Sequence, residues 1–299
     1  MTTHAGSHSQ EVVFAGAAGN RLVGDLFAAE ARGTSANVGR PSVLLLHGGG
    51  QTRHAWRATA ERIAQAGMTA YAVDQRGHGD SDWIADGAYG FDDFAADAAG
   101  LSSALTERTR QFPVVVGASL GGIAALLATG QGASFAALVL VDITPRVDME
   151  GVKKIQGFMR THAGDGFGSV DEAAAAVAAY LPHRKPPRST EGLKKNLRLH
   201  PDGRWRWHWD PRLLDGRRAV NSDRREAQLA AAARSLTIPT LLVRGASSEL
   251  VQEAHAREFL DLVPHAHFID VRGARHMVAG DRNDQFASAV LRFLAALGP

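Results

Sequence analysis

Short apolar runs alternate with longer helix-like stretches along most of this chain. Val43–Leu46 and Val114–Val116 are continuous and apolar, as in strands that are buried on both faces of a sheet. Phe91–Leu105 and Leu120–Ala128 follow such runs and are interpreted as helices. Strands that alternate with helices predict an α/β fold, with a mostly parallel central sheet flanked by helices.

Residues 145–236 interrupt this alternation. They include an Ala-rich helix over Asp171–Tyr180 but no continuous apolar run typical of a buried strand. We call residues 145–236 the inserted segment and expect it to form a helical cap after the strand that ends at Asp142. Residues 11–144 and 237–299 would then form one core.

Composition and charge are those of an ordinary folded protein. Of the 299 residues, 45% are hydrophobic and 21% are charged, and the 33 Lys and Arg nearly balance the 31 Asp and Glu. A net charge of +2 gives no general field for nucleic acid. Arginine and tryptophan interleave at Arg204–Trp207, as in surfaces that stack bases. No base-reading motif accompanies them, so we interpret this stretch as part of the cap and expect no nucleic-acid partner.

The sequence contains no cysteine, which excludes disulfides, thiolate metal sites and a cysteine nucleophile. Histidines and carboxylates show no metal-ligand spacing, and the dinucleotide fingerprint is absent, so no metal or cofactor is expected. No apolar run reaches the roughly 18 residues of a membrane span. Because the first ten residues also lack the apolar region of a secretory signal, we expect a cytoplasmic protein without a membrane partner.

The strongest chemical motif is Gly117-Ala118-Ser119-Leu120-Gly121-Gly122, between an apolar strand and a helix. A serine hydroxyl is a weak nucleophile unless it is held exposed beside a base. A sharp strand-to-helix turn exposes it and requires small residues two positions before and after, here Gly117 and Gly121. Ser119 is therefore the candidate nucleophile.

A second motif, His47-Gly48-Gly49-Gly50, follows the Val43–Leu46 run. An oxyanion hole needs a backbone N–H besides the one that follows the nucleophile, and glycines allow close approach. We predict Leu120 and Gly49 as the two donors, with Gly48 as the alternative to Gly49. His47 is interpreted as structural.

The general base is expected last in the chain order serine, acid, histidine. Among the 13 histidines, His276 follows the final predicted strand, His267–Val271, through a short loop and precedes the last helix. This position at the carboxyl edge of the sheet indicates His276 as the base.

These motifs, together with Asp74-Gln75-Arg76-Gly77-His78-Gly79-Asp80-Ser81 and Ala274-Arg275-His276-Met277, resemble the α/β-hydrolase superfamily. The resemblance covers residues 12–144 and 237–299 and points to the branch of serine esterases, haloperoxidase-like enzymes, epoxide hydrolases and carbon–carbon bond hydrolases. Epoxide hydrolases carry aspartate as the nucleophile of the strand-to-helix turn. This chain has Ser119 at that position, which argues against an alkyl-enzyme mechanism.

The resemblance also implies a triad acid, for which two residues compete. Superfamily members usually place it after the strand that follows the cap, where this chain has Glu249. Some members use a carboxylate after the preceding strand, which here is Asp142. We favour Glu249 and keep Asp142 as the alternative.

Together these features predict a serine hydrolase that cleaves a small carboxylic ester or lactone through an acyl-enzyme. The alternatives are a carbon–carbon bond hydrolase of ring-cleavage products, which commonly has Trp where this chain has Met277, and a non-catalytic binding descendant of the fold. Met277, Trp205, Trp207 and Trp209 are candidate substrate contacts. Neither the substrate nor the oligomeric state follows from the sequence.

Overall fold

Eight strands form one central sheet in the computed structural model, which describes residues 9–30, 39–184, 189–215 and 222–298. Their order across the sheet is β1-β2-β4-β3-β5-β6-β9-β10. β2 pairs antiparallel with β1 and with β4, and the other neighbours are parallel, which confirms the predicted mostly parallel sheet. In chain order the ten strands, including the separate pair β7 and β8, are β1 Gln10–Ala15, β2 Arg21–Phe27, β3 Val43–Leu46, β4 Ala70–Val73, β5 Val114–Ala118, β6 Ala137–Val141, β7 Leu197–Leu199, β8 Trp205–Trp207, β9 Thr240–Gly245 and β10 His267–Val271.

Helices connect most of the parallel strands and cover both faces of the sheet. None of those in the described ranges is both long and apolar enough to cross a bilayer. The α-helices are α1 Arg57–Gln65, α2 Phe91–Thr109, α3 Leu120–Gly130, α4 Met149–Thr161, α5 Val170–Tyr180, α6 Ser222–Arg234, α7 Glu253–Leu262, α8 Val278–Asp281 and α9 Asn283–Ala296. Short 3₁₀ helices occur at Arg53–Trp56, Glu191–Asn196 and Pro211–Leu214.

The continuous apolar runs of the inner strands divide between two cores. In β3, Leu44 and Leu46 join the cluster that includes residues of α2 and α3. Val43 and Leu45 join the cluster on the other face, with residues of α1 and α9. Because side chains alternate along a strand, a strand in the middle of this sheet must be apolar at every position.

The inserted segment lies between β6 and β9 in the chain and contains α4, α5 and α6. It also contains the antiparallel pair β7 and β8, which the sequence analysis did not predict. These strands have three residues each and pair only with each other in the described sheets. Strands this short carry no alternation long enough to recognise.

The last helix, which the sequence analysis placed after His276, is divided in two. The chain forms the short α8, which ends at Asp281, and then α9 from Asn283. Asp281 does not cap a helix with its side chain. Its carboxylate accepts the N–H of Arg275 at 2.9 Å and the guanidinium of Arg184 at 2.6 Å, joining the inserted segment to the loop of His276.

Candidate active site

Ser119 lies at the sharp turn between β5 and α3. Its φ of 47° and ψ of −111° are a strained backbone conformation for a residue with a side chain. A Cβ built on Gly117 would overlap the carbonyl of Gly121, and one built on Gly121 would overlap the carbonyl of Leu46. The turn therefore requires both glycines for close packing, as the motif predicts.

Asp142 occupies the corresponding position at the end of β6, next to β5 in the sheet. Its side chain is fully buried and its φ is 50°. Oδ1 accepts the N–H of Gly245 at 2.9 Å, and Oδ2 accepts the hydroxyl of Ser248 at 2.5 Å. A buried carboxylate requires such donors, because an unpaired charge is costly inside a protein.

His276 brings its ring to the same carboxylate. Nδ1 of His276 lies 2.8 Å from Oδ2 of Asp142. Because the carboxylate accepts, Nδ1 carries the proton, and the neutral ring keeps Nε2 free of a proton. The side chain of His276 is 13% exposed, so the ring is not sealed into the core. This arrangement provides an oriented base at the carboxyl edge of the sheet.

The structure does not pair His276 with Glu249, the residue favoured by the sequence analysis. The loop after β9 turns the hydroxyl of Ser248 toward Asp142 and directs Glu249 elsewhere. The Glu249 carbonyl packs against Gly151 of α4, and its Oε2 is buried without a hydrogen-bond partner. Burial and the neighbouring Glu249 charge raise the pKa of Tyr180 to about 12. The geometry is that of the alternative assignment, Asp142.

The glycine loop after β3 lies beside Ser119. A Cβ built on Gly48 would be 3.4 Å from the Cβ of Ser119. The N–H of Gly48 donates to Oε1 of Gln51 at 3.1 Å, and the N–H of Gly50 donates to Nε2 of His78 at 3.0 Å. Between them, the N–H of Gly49 has no acceptor within the described parts of the chain.

Leu120 supplies a second unpaired donor. It is the first residue of α3, and its N–H likewise finds no acceptor in the portions of the chain that are described. The dipole of α3 adds positive potential at this end of the helix. Of the three predicted oxyanion donors, Gly49 and Leu120 are thus available, whereas Gly48 is engaged by Gln51.

His47 is structural, as expected, and shapes the glycine loop. Its Nδ1 donates to the Gly48 carbonyl at 2.8 Å, and its Nε2 accepts the N–H of Gln75 at 3.1 Å. Complete burial lowers the pKa of His47, against the opposing effect of Asp74. A neutral ring is required because Nε2 must remain an acceptor.

The three candidate tryptophans occupy different surroundings. Trp209 is 2% exposed, and its Nε1 lies 3.7 Å from a Cβ built on Gly50, beside Met159. Trp207 packs between the rings of Phe158 and Phe167, with centroid distances of 6.1 and 5.2 Å. Of these two, Trp209 is the one brought to the glycine loop.

Trp205 and Met277 complete the set of predicted substrate contacts. Trp205 is half-buried and forms an isolated bridge with Phe167 inside the inserted segment. Met277 is half-buried next to His276, and its carbonyl accepts the N–H of Gly280 at 2.9 Å. Met277 therefore lies at the edge of the sheet that holds His276, whereas Trp205 makes its described backbone contacts inside the inserted segment.

His208 and Asp210 dock the inserted segment onto the turn at Gly77–Gly79. Nδ1 of His208 accepts the N–H of Gly79 at 2.6 Å, and the N–H of Asp210 donates to the Gly77 carbonyl at 2.8 Å. The hydroxyl of Tyr89 donates to Asp210 at 2.6 Å. Sequence reasoning missed both residues, since one histidine and one aspartate in a Trp-rich stretch carry no recognisable spacing.

No group of three or more His, Asp or Glu side chains in the described ranges is arranged to hold a metal ion. At this edge of the sheet Ser119 and Asp142 follow the neighbouring strands β5 and β6, His276 is hydrogen-bonded to Asp142, and the amides of Gly49 and Leu120 are unpaired within the described ranges. They combine a hydroxyl, an oriented imidazole and donors for negative charge, which are the components of acyl transfer.

Comparison with known proteins shows the family to which this chain belongs. The family described as "Serine aminopeptidase, S33" matches residues 39–283. Esterase Rv0045c of Mycobacterium tuberculosis is 31% identical over 250 residues, which are 81% of this chain and 78% of the esterase. The 2-(acetamidomethylene)succinate hydrolase of Mesorhizobium japonicum is 30% identical over 260 residues, covering 86% of this chain and 88% of that enzyme.

A solved structure supports the fold independently. The crystal structure of E-2-(acetamidomethylene)succinate hydrolase superposes with a TM-score of 0.81 and 24% identity, covering 96% of this chain and all of the other. The chain belongs to the serine aminopeptidase S33 family and is a hydrolase of the α/β-hydrolase superfamily.

Proposed function

We propose that this hydrolase cleaves a small carboxylic ester or lactone through an acyl-enzyme on Ser119. The observation that carries the proposal is the hydrogen bond between Asp142 and His276, at the sheet edge where β5 delivers Ser119. It orients an imidazole with a free Nε2, the form in which histidine acts as a general base.

The proposed reaction has two halves. Nε2 of His276 takes the hydroxyl proton of Ser119 while Oγ attacks the substrate carbonyl, and the resulting oxyanion accepts the N–H groups of Gly49 and Leu120. The imidazolium then gives its proton to the leaving alcohol. A water molecule, activated by the same base, attacks the acyl-enzyme and releases the acid.

In this scheme Asp142 is the triad acid. Its carboxylate keeps the proton of His276 on Nδ1 and stabilises the imidazolium while the proton is in transit. Asp142 suits the role because its other oxygen is held by the Gly245 amide and its side chain is fully buried. Glu249 would have no direct part in proton transfer.

We also propose that residues 145–236 act as a cap over the substrate. Met159 and Trp209 lie against Gly50, and a Cβ on Gly50 would be only 3.0 Å from the terminal methyl of Met159. The space beside the oxyanion donors is therefore narrow and partly apolar, which supports a small acyl group. A small-molecule substrate is the only partner that the mechanism requires.

Labelling and turnover test this proposal. Wild-type protein should hydrolyse p-nitrophenyl acetate and should be labelled at Ser119 by a fluorophosphonate probe, as located by peptide mass. Ser119→Ala should lose both signals and keep the far-ultraviolet circular dichroism spectrum of the wild type. Labelling at another serine, or ester turnover that survives in Ser119→Ala, would refute the assignment.

An ester, lactone and amide panel with intact-mass detection of the acyl-enzyme then tests the substrate class. Ester or lactone turnover with a transient mass increase is expected. A labelled Ser119 without turnover of any ester or lactone would contradict the proposed substrate class while leaving the nucleophile in place.

A further inference from the structure

Ser248 and His276 share one oxygen of Asp142. The hydroxyl of Ser248 lies 2.5 Å from Oδ2, and Nδ1 of His276 lies 2.8 Å from the same atom. We propose that Ser248 is a positioning residue, which fixes the orientation of the Asp142 carboxylate and limits how strongly that carboxylate holds the imidazolium. This inference rests on the ester hydrolysis proposed above.

The direction of the Ser248 hydrogen bond follows from its other partners. Oγ accepts the N–H of Leu250 and the N–H of Val251, each at 3.0 Å. A hydroxyl has one proton to donate and two lone pairs with which to accept. With both lone pairs engaged, the proton is directed to Asp142.

The same contacts hold the loop and the carboxylate together. Asp142 is fully buried and receives three donors: Gly245 on one oxygen, and Ser248 and His276 on the other. Without Ser248, Oδ2 of Asp142 would keep only the hydrogen bond from His276. Rotation of the carboxylate about its last bond would then be opposed only by the hydrogen bonds from Gly245 and His276.

A donor on Oδ2 also weakens the competing bond to His276. Hydrogen bonds to a carboxylate spread its negative charge and reduce what remains to stabilise a neighbouring cation. Removing the Ser248 hydroxyl should therefore strengthen the interaction between Asp142 and the imidazolium. Activity of the variant would then be lost at a higher pH on acidification than activity of the wild type.

Other charges near this carboxylate stay in place when Ser248 is changed. Arg244 interacts with the charge of Asp142, and its guanidinium is held by Asp270 at 2.6 Å. Glu249 follows Ser248 in the loop. On the histidine loop, Arg275 is tied by its N–H to Asp281, which also binds Arg184.

Ser248→Ala tests the inference through the pH dependence of kcat/KM for p-nitrophenyl acetate. The acidic limb should move upward by about 0.5–1 pH unit, and kcat should fall about tenfold, the scale of one hydrogen bond to a charged group. KM should change little, because Ser248 does not touch the substrate. Ser248→Thr, which keeps the hydroxyl, should restore the wild-type limb.

Ser247→Ala is the matched control. Ser247 is exposed, and its hydroxyl makes no hydrogen bond to any described residue. Its variant should retain the wild-type profile. If Ser248→Ala does not fold, Ser248→Cys is measured in the same way and should give a smaller upward shift, because a thiol is a weak donor.

The outcomes separate this inference from the proposed function. A wild-type protein that the phosphonate does not label at Ser119 refutes the function, and this inference with it. A labelled wild type whose acidic limb is unmoved in the Ser248 variants overturns the inference alone, even if kcat falls, since that loss would be purely structural.

Discussion

Ser119 and Asp142 directly follow neighbouring parallel strands, and both have a positive φ, 47° at Ser119 and 50° at Asp142. The N–H of Ser119 donates to the carbonyl of Val141 at 3.1 Å, which couples the two turns. A non-glycine residue in such a conformation costs on the order of 1–3 kcal/mol and persists where the surroundings enforce it. Two such residues on neighbouring strands indicate that the surrounding fold enforces the backbone conformation at this edge of the sheet.

The strained turn between β5 and α3 gives a prediction for Gly121. In Gly121→Ala the added methyl overlaps the carbonyl of Leu46, so the backbone must shift where Ser119 is held. Overpacking of this kind costs about 1–3 kcal/mol, and a displacement of about 1 Å costs about 100-fold in rate. Urea unfolding and ester turnover should both show losses in this variant.

Gly157→Ala is the matched control for that substitution. Gly157 lies within α4, and a Cβ built there meets no atom within 4 Å. Alanine should stabilise the helix by about 0.5–1 kcal/mol. Equal losses of stability in Gly121→Ala and Gly157→Ala would show that the effect at Gly121 does not come from crowding at the turn of Ser119.

The sheet and the sharp turn at Ser119 could be predicted from the sequence because each depends on local constraints. A strand between two cores must be apolar at every position, as Val114–Val116 is. The turn at Ser119 must be flanked by glycines, since any Cβ there would overlap backbone. Both requirements leave a pattern within six residues of the chain.

The partner of His276 could not be predicted in the same way. Asp142 and Glu249 each follow a strand of the sheet, and the choice depends on how the loop after β9 folds. That loop presents Ser248 to Asp142 and turns Glu249 toward Tyr180. Contacts between the side chains of two loops that are far apart in the chain leave no local pattern in the sequence.

Trp209 and Trp207 should respond differently to replacement by phenylalanine. Trp209 lies against Gly50, next to the proposed oxyanion donor Gly49, whereas Trp207 packs among rings of the inserted segment. We expect Trp209→Phe to lower kcat/KM about three- to tenfold through lost packing at the substrate, on the order of 1 kcal/mol. Trp207→Phe should stay within about twofold. Steady-state kinetics on one ester provide the comparison, and the opposite ranking would move the binding surface toward β8.

His208 makes the unfolding free energy depend on pH. Burial, followed by the neighbouring His47, lowers the pKa of His208 to about 3, well below the ordinary value of 6.5. Between these values the unfolded chain takes up the proton and the folded one does not. Stability is therefore full above about pH 6.5 and falls as the pH drops toward 3, by up to about 1.4 kcal/mol per pH unit.

His208→Asn isolates this contribution. The asparagine oxygen can accept the N–H of Gly79 in place of Nδ1, and it does not titrate. Urea unfolding from pH 7 to pH 4 should give a shallower pH dependence than in the wild type. His47, whose pKa is also lowered by burial, supplies part of the slope that remains. Identical slopes in the two proteins would mean that His208 is not held neutral.

The two carboxylates that competed for the triad provide the sharpest contrast. In Asp142→Asn, the amide nitrogen would face the donors Ser248 and His276, and the imidazole would turn its unprotonated nitrogen toward the amide. The proton would then sit on Nε2, where it blocks the base. A comparable change in a serine protease triad lowers kcat about 10⁴-fold, and we expect a loss of that order here.

Glu249→Gln should cost tenfold or less, on the order of one hydrogen bond. Its Oε2 accepts no hydrogen bond from any described residue, so the amide removes a charge without breaking a contact to the histidine. Single-turnover acylation by p-nitrophenyl acetate measures both variants before product release contributes. A large loss for Glu249→Gln with a small one for Asp142→Asn would return the acid to the loop after β9. Equal large losses would mean that Glu249 acts on His276 indirectly. The route would be Ser248, the residue before Glu249, whose hydroxyl is hydrogen-bonded to Asp142.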